Sequence, residues 1–243
     1  MAGPDTIRKI DGFWAGYFGC DPADLNGTKT LVQPHKALKT FDGVLVFRHA
    51  EACLVSVPGV VPEIERAKLR AAAPAQAFDP DFLAKTFVVW KDRVSPPAWV
   101  GVCDKESFKP VATTARLLTP DDEAAMLRLA EGCGEVAWKQ SKLASDRNTN
   151  FGLFEGNEIV AASGYLVMGG LLAYIGVVTH PAHRGKGHAK RVVSGSMAHA
   201  FGKGLIAMWR TPQEHGAAVK LAGQLGFTHY ASTYDVQLTE DEF

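Results

Sequence analysis

Residues 175–189, IGVVTHPAHRGKGHA, decide how the second half of this chain folds. An apolar run ends at Thr179, Pro181 stops it, and a turn rich in glycine and basic residues leads into a segment that extends to about Phe201. Apolar side chains recur in that last segment at helical spacing, which predicts an amphipathic helix. The sequence therefore predicts a buried strand, a tight turn and a helix in direct succession.

The turn between this strand and this helix has the chemistry of an anion-binding site. The first N–H groups of a helix have no intrahelical acceptor, and the helix dipole adds a partial positive charge there. Gly185 and Gly187 let a diphosphate approach the backbone closely, while Arg184 and Lys186 add positive charge. A phosphate-bearing ligand is the expected occupant.

Three histidines in the same segment, His180, His183 and His188, are candidate metal ligands. Their spacing is irregular and no cysteine lies near them. The usual zinc-binding spacings differ from this pattern, and phosphate already accounts for the turn. We therefore expect no metal at this site.

The sequence on either side of this motif predicts an α/β domain with a mixed sheet. Thr119, Pro120 and Asp122 have the pattern of a capped helix N-terminus. In chain order the predicted elements are a strand at 112–118, a helix opening at 119, a helix at 135–143, strands at 151–154, 158–167 and 171–179, a helix at 185–201, a strand at 204–209, a helix at 213–225, and two closing strands within 227–238.

The first 110 residues predict a smaller α+β domain. Phe13, Trp14, Tyr17 and Phe18 recur at helical spacing and form a candidate core cluster. Strands are expected at 43–47 and 52–57, and a helix at 62–72. A mostly polar stretch closes at Pro110, so the predicted domains are residues 1–110 and 111–243.

Charge and cysteine content restrict the partners of this chain. Its 26 basic residues balance its 26 acidic ones, and no aromatic residues interleave the basic run after Arg184, so neither nucleic acid nor a membrane surface is expected to bind. Neither a signal peptide nor a run long enough for a membrane span is found. The four cysteines lie far apart without a CxxC pair, as expected for reduced thiols in a cytoplasmic protein.

The segment Arg184–Ala189 resembles the pyrophosphate loop, Arg/Gln-x-x-Gly-x-Gly/Ala, of the GNAT superfamily of N-acetyltransferases. The strand ending at Pro181 and the stretch 218–227 also match that family, and the resemblance covers about residues 112–238. It implies a GNAT-like fold that uses acetyl-CoA and no metal. The residues that it assigns to acetyl-CoA are Val177, Val178 and Thr179 along the pantetheine, and Arg184, Gly185, Lys186, Gly187, His188 and Ala189 at the pyrophosphate.

The resemblance implies an N-acetyltransferase that moves an acetyl group to a primary amine of a small molecule. A backbone N–H near Val177 would stabilise the developing oxyanion. No cysteine sits beside a plausible base, so we expect direct attack without an acyl-enzyme. The 1–110 domain would complete the acceptor side, and a homodimer is compatible with this interpretation.

The acid–base residues of the family are missing. Its Asn and Tyr positions are occupied by His215 and Ala222, and no Glu stands near 171–174. Glu214, His215 and Tyr174 are the candidate catalytic residues, although the first two could instead cap a helix and Tyr174 could belong to the core. Two alternatives stay open: a longer acyl donor, with room made by Gly169, Gly170 and Gly176, or a CoA-binding protein without turnover.

Overall fold

The computed structural model describes residues 1–36, 38, 41–143 and 149–238. The chain divides into two compact units, which we name after their longest segments. The 101–210 unit comprises Met1–Gly3, Gly101–Arg210 and Ala217–Thr228, and the 4–100 unit comprises Pro4–Val100, Thr211–Gly216 and the residues from His229 onward.

The elements follow each other along the chain with short connections. The helices are α1 (Pro4–Phe18), α2 (Pro22–Leu25), α3 (Glu63–Ala71), α4 (Pro74–Ala77), α5 (Pro80–Thr86), α6 (Glu123–Cys133), α7 (Glu135–Ser141), α8 (His188–Gly202) and α9 (Gly216–Leu225). The strands are β1 (Thr30–Pro34), β2 (Gly43–His49), β3 (Ala52–Val57), β4 (Ala98–Cys103), β5 (Arg116–Leu117), β6 (Thr149–Glu155), β7 (Glu158–Met168), β8 (Leu172–Thr179), β9 (Ile206–Pro212) and β10 (Thr228–Gln237). Short 3-10 turns occupy Val88–Arg93, Pro120–Asp122 and Pro181–His183.

The 4–100 unit is built on the neighbouring strands β1, β3, β2 and β10. Successive side chains of a strand point to opposite faces. Val44 and Val46 of β2 accordingly belong to a core with Leu69 of α3, while Phe47 contacts Trp14 of α1, with ring centroids 4.7 Å apart. The aromatic cluster predicted from the sequence is thus confirmed as part of the core.

The last strand of the chain pairs with an early one. β10 runs antiparallel to β2, with Ser232 opposite Arg48 and Gln237 opposite Gly43. The compact units therefore differ from the predicted division at residue 110, because the chain returns after α9 to complete the sheet of the 4–100 unit. The role predicted for the N-terminal region stays a prediction.

The 101–210 unit contains the mixed sheet that the sequence predicts. Its strands lie in the order β9, β8, β7, β6, β5, with β8 parallel to β9 and the other pairs antiparallel. Neighbouring residues of β7 face opposite layers: Ala162 packs in a cluster with Leu129 of α6, whereas Ser163 lies 2.8 Å (Oγ to Oγ) from Ser196 of α8. Helices therefore cover both faces, as an α/β layer requires.

Several predicted boundaries are wrong. The first strand of the mixed sheet is only Arg116–Leu117, shorter than 112–118. α8 begins at His188 and not at Gly185, because Gly185 and Gly187 both have φ +78°, outside the helical region. One strand, β10, replaces the two predicted closing strands. The capping box of Thr119 and Asp122 is confirmed, although it opens a 3-10 turn before α6.

Among the helices of the described residues, none combines the length and the hydrophobicity needed to cross a bilayer.

Candidate active site

The strands β8 and β9 separate halfway along β8. Their parallel ladder joins Leu172–Tyr174 to Ile206–Met208 and extends no further among the described residues. Beyond Tyr174, β8 continues through Thr179 with its other edge paired to β7. A gap therefore opens beside Ile175–Thr179, and the main chain that faces it is available to a ligand.

The direction of the main-chain groups along β8 follows from its hydrogen bonds. His180 N–H donates to the Val160 carbonyl at 3.0 Å on the β7 side. Because these directions alternate along an antiparallel pair, Val178 also faces β7, whereas Val177 and Thr179 face the gap. Of the three residues predicted to contact pantetheine, the geometry thus favours Val177 and Thr179.

The turn into α8 leaves its first N–H groups free. Gly187 is the N-cap residue, in the left-handed region, and no side chain caps the helix. An added Cβ at Gly185 or at Gly187 would meet no atom within 4 Å, so both glycines border open space. Within the described residues, the turn therefore offers unpaired donors with room in front of them, and anion binding by it stays a prediction.

A cavity of about 370 Å³ joins the gap to this turn. Most of the predicted cofactor residues line it, namely Val177, Val178, Thr179, Arg184, Gly185, Gly187, His188 and Ala189, together with Lys190 and, from α9, Leu221 and Gln224. The Thr179 hydroxyl is buried there and has no hydrogen-bond partner in the described part of the chain, and Arg184 Nε donates to the Thr179 carbonyl at 3.3 Å. Lys186 is exposed and does not line the cavity. An elongated ligand with a diphosphate fits this lining.

The three candidate catalytic residues belong to different compact units of the chain. Tyr174 is half-buried and pairs with Met208 at the last rung of the β8–β9 ladder, where the gap opens. Glu214 and His215 are exposed in the segment Thr211–Gly216 of the 4–100 unit. Their catalytic roles stay predictions.

The buried position of Ala222 explains why it cannot simply host the missing family Tyr. Ala222 is fully buried in α9, whereas Leu221 and Gln224 line the cavity. Gly226, with φ +102°, ends the helix as the sequence predicts. A Tyr at position 222 would overpack the core that surrounds this methyl group.

The cysteines lack the properties of nucleophiles. Burial raises the pKa of Cys53 to about 12 and that of Cys103 to about 11. Burial is also the main cause of the raised pKa values of Cys20 and Cys133. Since the thiolate is the reactive form, all four thiols are protonated and weakly nucleophilic at neutral pH.

Two features of the site were not found from the sequence. An added Cβ at Gly176 would fall on the carbonyl oxygen of Ser141, so the space beside this glycine is filled by the end of α7 and offers no room for an acyl chain. Glu155, His183 and His188 converge beside the turn. Only three-dimensional pairing brings Glu155, at the end of β6, to the histidines.

The fold and this cavity define a class of α/β proteins with a mixed sheet. In this class, two parallel strands separate beside the uncapped N-terminus of a helix. Residues 114–227 match the model of the Acetyltransferase (GNAT) family, and they form a GNAT acetyltransferase domain. Membership of this family makes the domain one for acyl transfer, and acetyl-CoA is the general donor of the family.

Solved structures are similar to this chain, one of them over nearly its whole length. A GCN5-related N-acetyltransferase from Kribbella flavida is 14% identical with a TM-score of 0.51, and the match covers 96% of each chain. A protein assigned to the GNAT family from Novosphingobium aromaticivorans is 22% identical (TM-score 0.48; 59% of this chain and 64% of that one). A GNAT-family acetyltransferase from Colwellia psychrerythraea is 18% identical (TM-score 0.48; 59% and 57%). The chain thus spans less than two thirds of the last two proteins. No curated protein matches the sequence significantly.

Proposed function

We propose that this protein transfers an acetyl group from acetyl-CoA to a primary amine of a small molecule by direct attack. The observation that carries the proposal is the continuity of the β8–β9 gap with the free N-terminus of α8 in one cavity. A strand edge suits an extended amide chain, and a helix N-terminus suits a diphosphate. Acetyl-CoA has both parts in one molecule.

In this proposal β8 and the turn bind different parts of the donor. The free N–H groups at the start of α8 and the Arg184 guanidinium bind the diphosphate. The main-chain groups of Val177 and Thr179 that face the gap pair with the pantetheine amides, as an added strand would. Acetyl-CoA supplies an acyl group that is already activated as a thioester.

The same residues support direct attack. The Val177 N–H faces the gap, where it can stabilise negative charge that develops on the thioester carbonyl. The four protonated thiols argue against an acyl-enzyme. The amine must lose a proton before it attacks, since an alkyl ammonium titrates near pH 10, and ordered water can accept that proton.

A second cavity, of about 430 Å³, supports an amine as acceptor. Glu123 and Asn150 line it, and Asn150 Oδ1 is buried without a hydrogen-bond partner among the described residues. Met126 and Trp138 of its wall pack against the core cluster that contains Val178, which lines the first cavity. A carboxylate and an unpaired amide oxygen suit a cationic amine, so we propose that the acceptor enters from this side.

We also propose a cytoplasmic location and a metal-independent reaction. The four cysteines are free, as is usual in reducing compartments. In this proposal no chemical step of acetyl transfer passes through a metal ion.

The test is a thiol-release assay with acetyl-CoA and a panel of amines that includes polyamines and aminoglycosides. We expect free CoA to appear only when a suitable amine is present, intersecting initial-velocity patterns in double-reciprocal plots, and no acetylated protein in mass spectra after incubation with acetyl-CoA alone. Parallel double-reciprocal plots together with an acetylated cysteine would contradict direct attack.

A second candidate function is CoA binding without turnover. It is favoured by Ala222, whose buried methyl group stands at the position of the family's Tyr. The CoA thiolate therefore lacks this acid when it departs. A CoA thiol resembles free Cys in acidity, with a pKa of about 8.5, so it can leave without full protonation, and we prefer the enzyme. Saturable CoA binding with no thiol release across the panel would instead establish the second candidate.

A further inference from the structure

Three side chains with metal-binding groups converge at the edge of the 101–210 unit. Glu155 ends β6, His183 lies in the 3-10 turn after β8, and His188 is the first residue of α8. Glu155 Oε1 lies 3.2 Å from His188 Nε2, and Glu155 Oε2 lies 3.3 Å from His183 Nδ1. One ligand atom from each residue lies within 4.8 Å of the other two. Segments far apart in the sequence thus present three donors to one point.

The histidine nitrogens at this point lack hydrogen bonds. The His188 side chain is only 8% exposed, and both of its ring nitrogens are buried without a hydrogen-bond partner among the described residues. His183 Nδ1 is also buried, and both it and His188 Nε2 face the Glu155 carboxylate, at 3.3 and 3.2 Å, without forming a hydrogen bond to it. Leaving a buried polar atom unpaired destabilises the folded state. A ligand that accepts nitrogen lone pairs would remove this cost.

We propose that Glu155, His183 and His188 bind a divalent transition-metal ion of the Zn²⁺ class. Zinc lies about 2.0–2.1 Å from nitrogen and carboxylate ligands, so the ligand atoms of a tetrahedral site are about 3.3 Å apart. The distances from the Glu155 carboxylate oxygens to the two histidine nitrogens match this separation between ligand atoms. The ligand atoms of the two histidines lie within 4.8 Å of each other, so metal binding would draw the partly exposed His183 ring towards His188.

The donor set selects the kind of metal. Two imidazoles and one carboxylate suit Zn²⁺, Co²⁺ or Ni²⁺, whereas Ca²⁺ and Mg²⁺ prefer oxygen ligands. Three protein ligands leave a fourth position for water. The ion would join the end of β6 to the first residue of α8 and so fix the turn that precedes the helix.

The sequence did not predict this site because it shows only part of it. His183 and His188 are five residues apart in an irregular turn, and Glu155 precedes them by a whole hairpin. His180, the third histidine considered from the sequence, is not a member of the cluster.

The experiment titrates chelator-treated full-length protein with Co²⁺ and Zn²⁺ by absorption spectroscopy and calorimetry. We expect one ion per chain, a tetrahedral Co²⁺ spectrum that Zn²⁺ displaces, and a higher melting temperature with Zn²⁺. Loss of an outer-shell partner typically weakens metal affinity 10–100-fold, so loss of a ligand should weaken it about a hundredfold or more. We expect this loss of metal affinity for Glu155→Gln and for His183→Ala. Both side chains are partly exposed, so these variants should still fold.

The matched control is His180→Ala, which removes a histidine of the same turn from outside the cluster. This variant should keep the wild-type affinity and spectrum. No binding of either ion by the wild-type protein at 100-fold molar excess would overturn the proposal and leave a His–Glu ion pair. Equal loss of binding in His180→Ala would also overturn it, because binding would then belong to histidines in general.

Discussion

The turn before α8 and the network around Asp11 are both polar, yet they use their hydrogen-bonding groups in opposite ways. In the 4–100 unit the buried carboxylate of Asp11 accepts from Tyr230 Oη at 2.7 Å and from Asn26 Nδ2 at 3.3 Å. His49 Nδ1 lies 2.6 Å from the Tyr230 carbonyl oxygen. At the turn in the 101–210 unit, the N-terminal donors of α8 are uncapped and face open space. Paired buried groups stabilise a fold, whereas unpaired groups beside a cavity indicate a ligand.

The largest effect should come from closing the open site. Gly187→Asp would put a carboxylate and a Cβ into the space before α8, so charge repulsion and loss of charge-assisted hydrogen bonds should weaken CoA binding about a hundredfold or more, at about 1.5–3 kcal/mol for each lost bond. Calorimetry with CoA measures this.

Gly204→Asp is the control for this substitution, because Gly204 has nearly the same φ (+75° against +78°) and the same open surroundings beyond the other end of α8. It should bind CoA normally. Normal CoA affinity in a folded Gly187→Asp protein would refute the assignment of the turn.

The paired site should respond in stability and not in binding. Tyr230→Phe leaves one oxygen of the buried Asp11 carboxylate without its donor, so the free energy of unfolding should fall by about 1–3 kcal/mol, measured by denaturant titration, with CoA affinity unchanged. Tyr234→Phe, also buried in β10, is the control and should cost much less, since Tyr234 makes no side-chain hydrogen bond among the described residues. A drop in CoA affinity in Tyr230→Phe would break the contrast between the two regions.

The same network predicts a loss of stability at high pH. Burial, followed by Asp11, raises the pKa of Tyr230 well above its ordinary value of about 10. The neutral phenol is thus favoured in the folded state, and its contribution is complete below pH 10 and lost as the pH rises further. Wild-type protein should lose stability above about pH 10 more steeply than Tyr230→Phe in paired melting curves, and equal slopes would contradict this.

His215 tests whether an exposed polar residue near the end of β9 is needed for turnover. If water handles the protons, His215→Ala should change kcat by no more than about threefold and leave CoA affinity intact, because a positioned acid or base contributes about a hundredfold or more. A loss of about a hundredfold in a folded variant would make His215 a catalytic residue, and steady-state kinetics decides between the two.

The smallest effect should come from the ion pair between buried Asp122 and half-exposed Arg116. The Arg116 guanidinium and the Thr119 N–H lower the pKa of Asp122, so the ionised form stabilises the fold above the ordinary aspartate pKa of about 4 and less as the pH falls below it. Asp122→Asn should lower the melting temperature at pH 9, where wild-type Asp122 is ionised, and approach the wild-type value at low pH, where Asp122 is protonated, so the acid sensitivity of the melting temperature should fall. An unchanged pH dependence would show that this ion pair contributes nothing.

Local patterns made much of the 101–210 unit predictable. The alternation and apolar content of β7 and β8, the periodicity of α8 and the glycine chemistry of the turn all act within about 15 residues, so they are visible in the sequence. The same holds for the capping box at Thr119. The residues that bind the donor in our proposal were found because they form one continuous segment.

Pairing over long distances was not predictable. Tyr230 and Asp11 are 219 positions apart, and His49, which contacts the Tyr230 carbonyl oxygen, is 181 positions from it. The pairing of β10 with β2 and the approach of Glu155 to His188 are of the same kind. A single sequence records composition and period, whereas such contacts depend on how the chain returns on itself.

Gly176 couples changes in strand β8 to changes in helix α7. Any side chain at this position of β8 would collide with the Ser141 carbonyl at the end of α7. A substitution at Gly176 would be tolerated only if α7 moved at the same time. Single substitutions of this glycine should therefore be destabilising. A change of acceptor specificity, in evolution or by engineering, should therefore involve side chains on α6 and α7. The packing of α7 against β8 should stay as it is.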